Sequence, residues 1–422
     1  MKQANPVLAA LDIGSSKVAF VIATLSRNNP DKQDYSPSNL EVIGVGVVPN
    51  TGVKQGIVVD IEATTEAIRK ARAEAELMAG IKVLEVWVAI SGSHIKSFDS
   101  RGMVAVKSRD VTSSDIDRVI EAAQAVTVPT ERQVLHVIPR EYKLDAQDGI
   151  LNPIGMVGIR LEVLAHIVTG SQAAIQNNLK CIEKAGLKVA GMVMGQLAAA
   201  KAVLSEDEKS LGVCVADIGA GATHLIYYTN SSVAAMSQIS VGGQHFTQDI
   251  AIGLRTPQSS AEEIKIRKGF AMSSLVSEED TLEVEGVGGR KSRLIKKRDL
   301  AEIIEPRAEE LLGFISADLN HSQLAPFLGS GVVLTGGGAH LPGLIEMAEY
   351  QFDLPVRLGV PPQMGGLTDG LKSGRFATVV GLLIYGLEQR RFVQSKRDQV
   401  NSVNPALTAV TDKVKDFFKD LF

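Results

Sequence analysis

Two aspartates of this chain sit in the same local setting, about half a chain apart. Asp12 lies in LAALDIGSSKVAFVIA and Asp217 in VCVADIGAGATHLIYY; each segment reads as strand, Asp-Ile-Gly, a short turn of Gly, Ser or Ala, then strand. A glycine turn offers backbone N–H groups to phosphate oxygens because no Cβ blocks the approach. An aspartate beside the turn can hold hydrated Mg²⁺, directly or through water. The first turn supplies Gly14, Ser15, Ser16 and Lys17, and the second Gly219, Gly221 and Thr223. Facing each other, they would clamp a polyphosphate, with Asp12 and Asp217 toward its metal. Either turn alone is also what a tight hairpin needs. A third element joins them. Residues 331–334 read as a short strand running into Thr335, Gly336, Gly337, Gly338 and Ala339, then a helix with Pro342 in its first turn. Glycines at a strand-to-helix turn admit an adenine or ribose ring.

Other elements must hold these turns in place. Apolar and β-branched runs at 7–13, 17–25 and 40–48 predict a β-meander, with a polar Asn/Asp/Ser/Pro loop at 27–39. An Ala/Glu/Arg-rich stretch at 61–78 predicts a helix stopped by Gly80, and Ser171 is placed to cap a helix from 172 to 185 ended by Gly186. From 211 the opening pattern returns, with strands expected at 211–217, 225–228 and 233–239. The repetition predicts an α/β fold of two related halves. Two regions interrupt it. Residues 84–166 should carry strands such as 85–90 and a helix near 114–125; 241–330 should carry helices near 261–269 and 300–319 with a basic loop between them.

Composition excludes several classes. The chain has 422 residues, 44 Lys and Arg against 48 Asp and Glu, and a formal charge of −4, so no basic field is present to hold nucleic acid. Two cysteines, Cys181 and Cys214, build neither a disulfide scaffold nor a four-thiolate zinc site, and the simple expectation is a reducing compartment. The histidines lack His-x-x-x-His or mixed Cys/His spacing. The start lacks the charged and apolar regions of a signal peptide, and no run of about 18 apolar residues occurs. Any membrane contact should therefore be peripheral.

The three glycine motifs resemble the two phosphate motifs and the adenosine motif of the actin, DnaK-type chaperone and sugar-kinase superfamily. That resemblance implies ATP with Mg²⁺ between the halves. It extends the expected nucleotide contacts to Gly243 and to Glu262 and Lys265, which match a Glu-x-x-Lys helix motif; the same pair also suits a solvated helix face. HVIPREYKLDAQDGILNPIGMVGIRLE, LGVCVADIGAGAT, AEIIEPRAEELL and GVVLTGGGAHLPGL resemble, more narrowly, the FtsA family of bacterial cell-division proteins, as do SGSHI and GGLTDG. The family resemblance implies an actin-like fold whose usual second small subdomain is replaced by an insert in the first half. The implied division is 1–83 with 167–195 and 379–387 for the first core, 84–166 for the insert, 196–240 with 331–378 for the second core, and 241–330 for its small subdomain. It further implies self-assembly and contact with the C-terminal peptide of FtsZ. Later membrane proteins of division are also implied partners, at the cytoplasmic face of the inner membrane at the septum. A pilus-assembly adaptor of related type and a small-metabolite kinase are the alternatives. Turnover should be slow at most. The position before the Gln-Leu-Ala step in MVMGQLAAAKAVL is Gly195, which cannot orient water, and Gln196 is its neighbour.

Two charged or amphipathic segments complete the reading. Arg290, Lys291, Arg293, Lys296, Lys297 and Arg298 form a basic run, either a solvated loop or a steering surface for an acidic and apolar peptide. Residues 388–405 are polar and suggest a flexible linker. In 406–422, Leu407, Val410, Val414, Phe417, Phe418 and Leu421 fall at steps of three and four, with Phe422 last and Lys and Asp elsewhere. Such a stripe suits a membrane-targeting amphipathic helix; docking on its own domain or on a partner helix are the alternatives.

Overall fold

The computed structural model describes residues 7–25, 37–368 and 370–403, with side chains as far as 390. Most of the polar loop expected at 27–39 and all of the stripe at 406–422 lie outside the described residues.

The first half is built on a six-stranded sheet. Val7–Ile13, Lys17–Leu25 and Leu40–Pro49 form the expected antiparallel meander. Glu85–Ile90 adds parallel to the first strand and Lys188–Met194 parallel to that, with the pair Gly365–Gly366 at the far edge. The second half repeats this order. Val213–Ile218, Thr223–Thr229 and Ser232–Ile239 form a meander, followed outward from Val213–Ile218 by parallel Val332–Thr335 and Val356–Leu358.

Helices cover these sheets closely where glycine permits. Ile61–Ala79 is capped by Asp60, whose side chain accepts from the Ala63 N–H at 2.9 Å, and ends at Gly80 with φ +68°. It lies so near the meander that a Cβ on Gly46 would stand 1.9 Å from the Ala71 carbonyl oxygen. The helices Gly195–Val203 and Ala377–Val403 cross between the halves. A Cβ on Gly381 would stand 1.7 Å from Ala198 O, so this crossing is a backbone contact. Around it Val193, Ala199, Val215, Val333, Val379 and Leu382 form one core shared by both sheets.

Each half also carries a smaller unit. In the first, Lys96–Ala105, Arg160–Ser171, Arg132–Leu144 and Gln147–Ile150 make a four-stranded sheet in that order. The helix Ser113–Gln124 covers one face, fixed by a reciprocal cap between Thr112 and Asp115, and the unit has its own core at Val119, Ala123, Leu161 and Val163. In the second, Gly243–Leu254, Gln258–Lys268 and Lys297–His321 pack with the hairpin Thr281–Val284 and Arg293–Lys296.

Several local expectations change. Ser171 makes no side-chain cap to the helix Gln172–Lys184. Residue 211 ends the helix Glu206–Leu211, and the strand begins at Val213. Pro342 precedes its helix, Leu344–Phe352, which starts after Gly343 at φ +85°. The basic run is only partly loop: Arg293–Lys296 is a paired strand and Lys297 opens a helix. The polar segment expected as a linker from 388 continues a helix to Val403, because Lys, Arg, Gln and Glu are good helix formers even without an apolar face.

Candidate nucleotide cleft

Both Asp-strands end in the same turn. The Gly14 N–H donates to Lys17 O at 2.9 Å, and the Gly219 N–H donates to Ala222 O at 3.0 Å. A Cβ on either glycine would stand 3.0 Å from that same carbonyl, so the two turns are tight in the same way. Registers match as well, with Asp12 opposite Ala19 and Asp217 opposite His224. The turns meet face to face. A Cβ on Gly221 would lie 3.1 Å from Ser15 Oγ and 3.2 Å from the Gln55 nitrogen, and Gln55 Nε2 donates to Ser240 O at 3.5 Å across the halves.

The charges converge at this meeting point. Asp217 is pushed up to about 6, first by burial and then by the negative charge of Asp12, against the pull of Lys17 and a hydrogen bond from Thr378. Burial also raises Asp12, opposed by Lys17. Lys17 is lowered by burial, against the pull of Asp12. Its Nζ donates to Arg375 O at 2.8 Å and stands over the Phe376 ring. Two acids whose charges oppose each other, with one half-buried lysine coupled to both, favour a counter-cation and a phosphate anion as a pair.

The third motif borders the same place. Val332–Thr335 runs beside the second Asp-strand, pairing Thr335 with Asp217. Gly336, at φ +85°, is needed there: a Cβ would meet Asp217 Oδ1 at 2.3 Å and Ile218 O at 2.5 Å. Gly337 is exposed, and Gly338 opens a short turn that buries Ala339. Lys265 reaches back to the second turn: its Nζ donates to Gly243 O at 2.9 Å and Thr247 Oγ1 at 2.8 Å, and pairs with Glu262 at 2.7 Å.

Not every expected contact faces the cleft. The Thr223 hydroxyl donates to Val241 O at 2.8 Å and the Thr335 hydroxyl to Gly359 O at 2.9 Å, and both residues are 0% exposed. Their hydroxyls brace loops, so they shape the cleft without offering it a donor. In the basic run, Lys297 lies over the Phe270 ring and faces Asp280, Arg298 pairs with Glu278 and Glu302, and Arg293 donates to Leu254 O. Arg290, Lys291 and Lys296 keep their charges unpaired among the described residues.

Gln196 turns inward. It is 5% exposed, its Nε2 lies 3.4 Å from His224 Nδ1, and its Oε1 is buried with no partner among the described residues. His224 follows the second turn, and burial pushes it down to about 4, so it is a neutral imidazole at neutral pH. Next in the same register row, Gln238 has a buried Nε2 without a partner. This row sets an amide, a neutral imidazole and a second amide side by side, with Gln196 Oε1 and Gln238 Nε2 left without partners among the described residues. The sequence signals it only by His224 standing immediately after Ala-Thr of the second turn. Asn50 was also missed: its Nδ2 donates to Gly14 O at 2.8 Å, bracing the first turn from the meander.

Residues 214–381 match the family profile described as "Cell division protein FtsA", and residues 92–169 match "SHS2 domain inserted in FTSA". The chain is 42% identical to the cell division protein FtsA of Pseudomonas aeruginosa over 388 residues, 92% of this chain and 91% of that one. It belongs to the FtsA family. The FtsA of Escherichia coli K12 is 38% identical, with 90% of each chain covered. An actin-like cell-division role follows from this membership. Among solved structures, the type IV pilus complex PilM-PilN matches with TM-score 0.63 at 18% identity, covering 90% of this chain and 98% of that one. MreB 5 of Spiroplasma citri bound to AMPPNP matches with TM-score 0.55 at 14% identity, covering 93% and 100%. These neighbours share the actin-like fold. The matched SHS2 segment is the unit that interrupts the first half of this FtsA-family chain.

Proposed function

We propose that the cleft of this FtsA-family protein binds Mg·ATP and that the protein is a self-assembling adaptor. It ties FtsZ filaments to the cytoplasmic membrane at the division septum and offers its insert to later division proteins. The observation that carries the nucleotide reading is the meeting of the two Asp-Gly turns, Gly221 against Ser15, with Asp12, Lys17 and Asp217 coupled around it. Gly14, Ser15, Gly219, Gly221 and Gly336 to Gly338 would line the phosphates and adenosine, Asp12 and Asp217 would face Mg²⁺, and Lys265 with Glu262 would border the ribose. AMPPNP bound to the MreB neighbour agrees with this reading. The subdomain limits inferred from sequence are proposed with it.

Nucleotide serves here chiefly to hold the halves together. Gly195 carries no side chain to orient water and only Oε1 of the Gln196 amide is without a partner among the described residues, so hydrolysis should stay below about 1 s⁻¹, under the range of ordinary working enzymes. In a coupled phosphate-release assay, Gln196→Ala should lower the residual rate about tenfold, by removing one orienting group from the amide–imidazole row. Turnover well above that limit would reject the adaptor reading, and an unchanged rate in the variant would remove Gln196 from it.

FtsZ contact is assigned to the second half's small unit. Beside the unpaired Arg290 and Lys291, Ile252, Val287 and Leu294 are 68%, 48% and 72% exposed. A surface of free cations and exposed aliphatic side chains suits a peptide carrying both acidic and apolar residues. Anionic vesicles carrying the protein should recruit a fluorescent FtsZ C-terminal peptide, and Arg290→Glu with Lys291→Glu should reduce that recruitment at least tenfold. Equal recruitment by the double variant would move the docking site elsewhere. No helix among the described residues is long and apolar enough to cross a membrane. Membrane contact is assigned to the apolar stripe that the sequence of 406–422 carries.

A further inference from the structure

The strand Arg132–Leu144 is the longest among the described residues, at 13 residues, and it belongs to the insert, paired along its length with Arg160–Ser171. Its pairing slips twice. One slip, between Leu164 and Ala165 of the partner strand, leaves Arg140 without an opposite residue, just after Pro139. A bulge of this kind frees a backbone group and re-aims a side chain. Here the freed Arg140 carbonyl accepts a hydrogen bond from Ser232 Oγ at 2.8 Å. Ser232 opens the strand Ser232–Ile239, which is the edge of the second half's sheet.

The same strand also grips the first half. His136 Nε2 accepts from the Met194 N–H at 3.0 Å. Met194 ends the opposite sheet's edge strand and directly precedes Gly195 and Gln196. Burial holds His136 down to about 4, so its ring stays a neutral acceptor, and it packs edge-on to Tyr385 of the crossing helix. Between these grips Ile138, with Met236 of the second half, packs against the core shared by both sheets. On the insert itself Arg140 is anchored, its Nη1 donating to Asp99 Oδ2 at 2.6 Å while Asp99 Oδ1 contacts His166 Nδ1 at 2.7 Å.

We propose that Arg132–Leu144 is a clasp across the two halves: the insert holds the second half's sheet edge at Ser232 while the cleft is closed and lets it go when the cleft opens, so a partner that keeps this contact made keeps the cleft closed. Ser232 Oγ to Arg140 O is one neutral hydrogen bond, strong enough to bias the closed arrangement and weak enough to release. Opening the halves must separate the two sheet edges. The strand cannot follow both, and it leaves Ser232, because its ladder to Arg160–Ser171 and its His136 bond hold it to the first half. The insert thereby senses the state of a cleft whose turns it does not touch. This inference rests on the reading that the cleft takes nucleotide.

The test uses the full-length protein with Arg140→Cys and Ser232→Cys joined by a short bis-thiol reagent. Native Cys181 and Cys214 are buried and leave the reagent to the new pair. Release of a fluorescent ATP analogue, chased with unlabelled Mg·ATP, should slow at least tenfold after joining, while Arg140→Cys treated alike should release at the original rate and Ser232→Cys treated alike should release no slower than it. Ser232→Ala, which removes only a hydroxyl, should release the analogue about threefold to tenfold faster. If the joined protein binds the analogue and releases it as fast as the unjoined one, there is no clasp. If the unjoined protein never binds the analogue, the nucleotide reading fails first and takes the clasp with it.

Discussion

Replacing Asp217 by Asn will stabilise the ligand-free protein and abolish its response to Mg·ATP. The side chain keeps its shape and its contact with Thr378 Oγ1, 3.4 Å away, but it loses a charge that burial and Asp12 both oppose. An acid raised from 3.8 to about 6 binds protons more readily folded than unfolded. Its contribution is therefore fully favourable below the unfolded value, falls as pH rises through that interval, and remains unfavourable above it. The shift corresponds to about 3 kcal/mol. Urea unfolding at pH 7.5 should then place the variant about 1–3 kcal/mol above the parent, and the gap should close as pH approaches about 4.

The same variant should show no thermal shift with Mg·ATP, whereas the parent should gain about 2.7 kcal/mol at a hundredfold excess over its dissociation constant. A variant that is less stable without ligand, or that keeps the full shift, would refute the assignment of Asp217 as an acid held in wait for a cation. Strain of this kind belongs to a site and not to a hairpin. A tight turn gains nothing from two converging carboxylates.

How much of this was legible in the residues depends on distance along the chain. The Asp-Ile-Gly turns were, because a glycine turn between two apolar strands is set by its own few residues, and the repeat made the two halves visible. The meander at the start followed for the same reason. What depended on crossings was hidden. Gln196 finds His224 only because the helix Gly195–Val203 packs between the two sheets, and nothing near either residue announces the other. Thr223 had the right type for phosphate contact and Thr335 stood in the adenosine motif, yet their hydroxyls are spent on carbonyls 18 and 24 residues away. The bulge at Arg140 is a matter of register between strands, which the pattern of either strand alone does not fix. Composition misjudged 388–403 because helix formers without an apolar stripe look like a linker.

Phe417→Glu will move the protein from membrane to solution, and by far more than one side chain would suggest. At helical spacing Leu407, Val410, Val414, Phe417, Phe418 and Leu421 share a face. Full burial of one large apolar side chain is worth about 1.5–3 kcal/mol, interfacial burial is partial, and ordering the segment opposes it. A single copy should therefore bind weakly. Losing Phe417 and placing a carboxylate at the interface removes about 2–3 kcal/mol per copy, a factor of about 30–150 in partition. In an assembled array these losses multiply, because each copy raises the effective concentration of its neighbours at the surface. Co-sedimentation of the full-length protein with anionic vesicles should then fall from nearly complete to background, while Phe417→Trp, which keeps an interfacial aromatic, should stay bound. Mg·ATP should still shift the melting of the Glu variant, because the cleft and the tail draw on separate residues. Retention of Phe417→Glu on vesicles would place the membrane contact outside 406–422 and leave the terminal stripe to a protein partner.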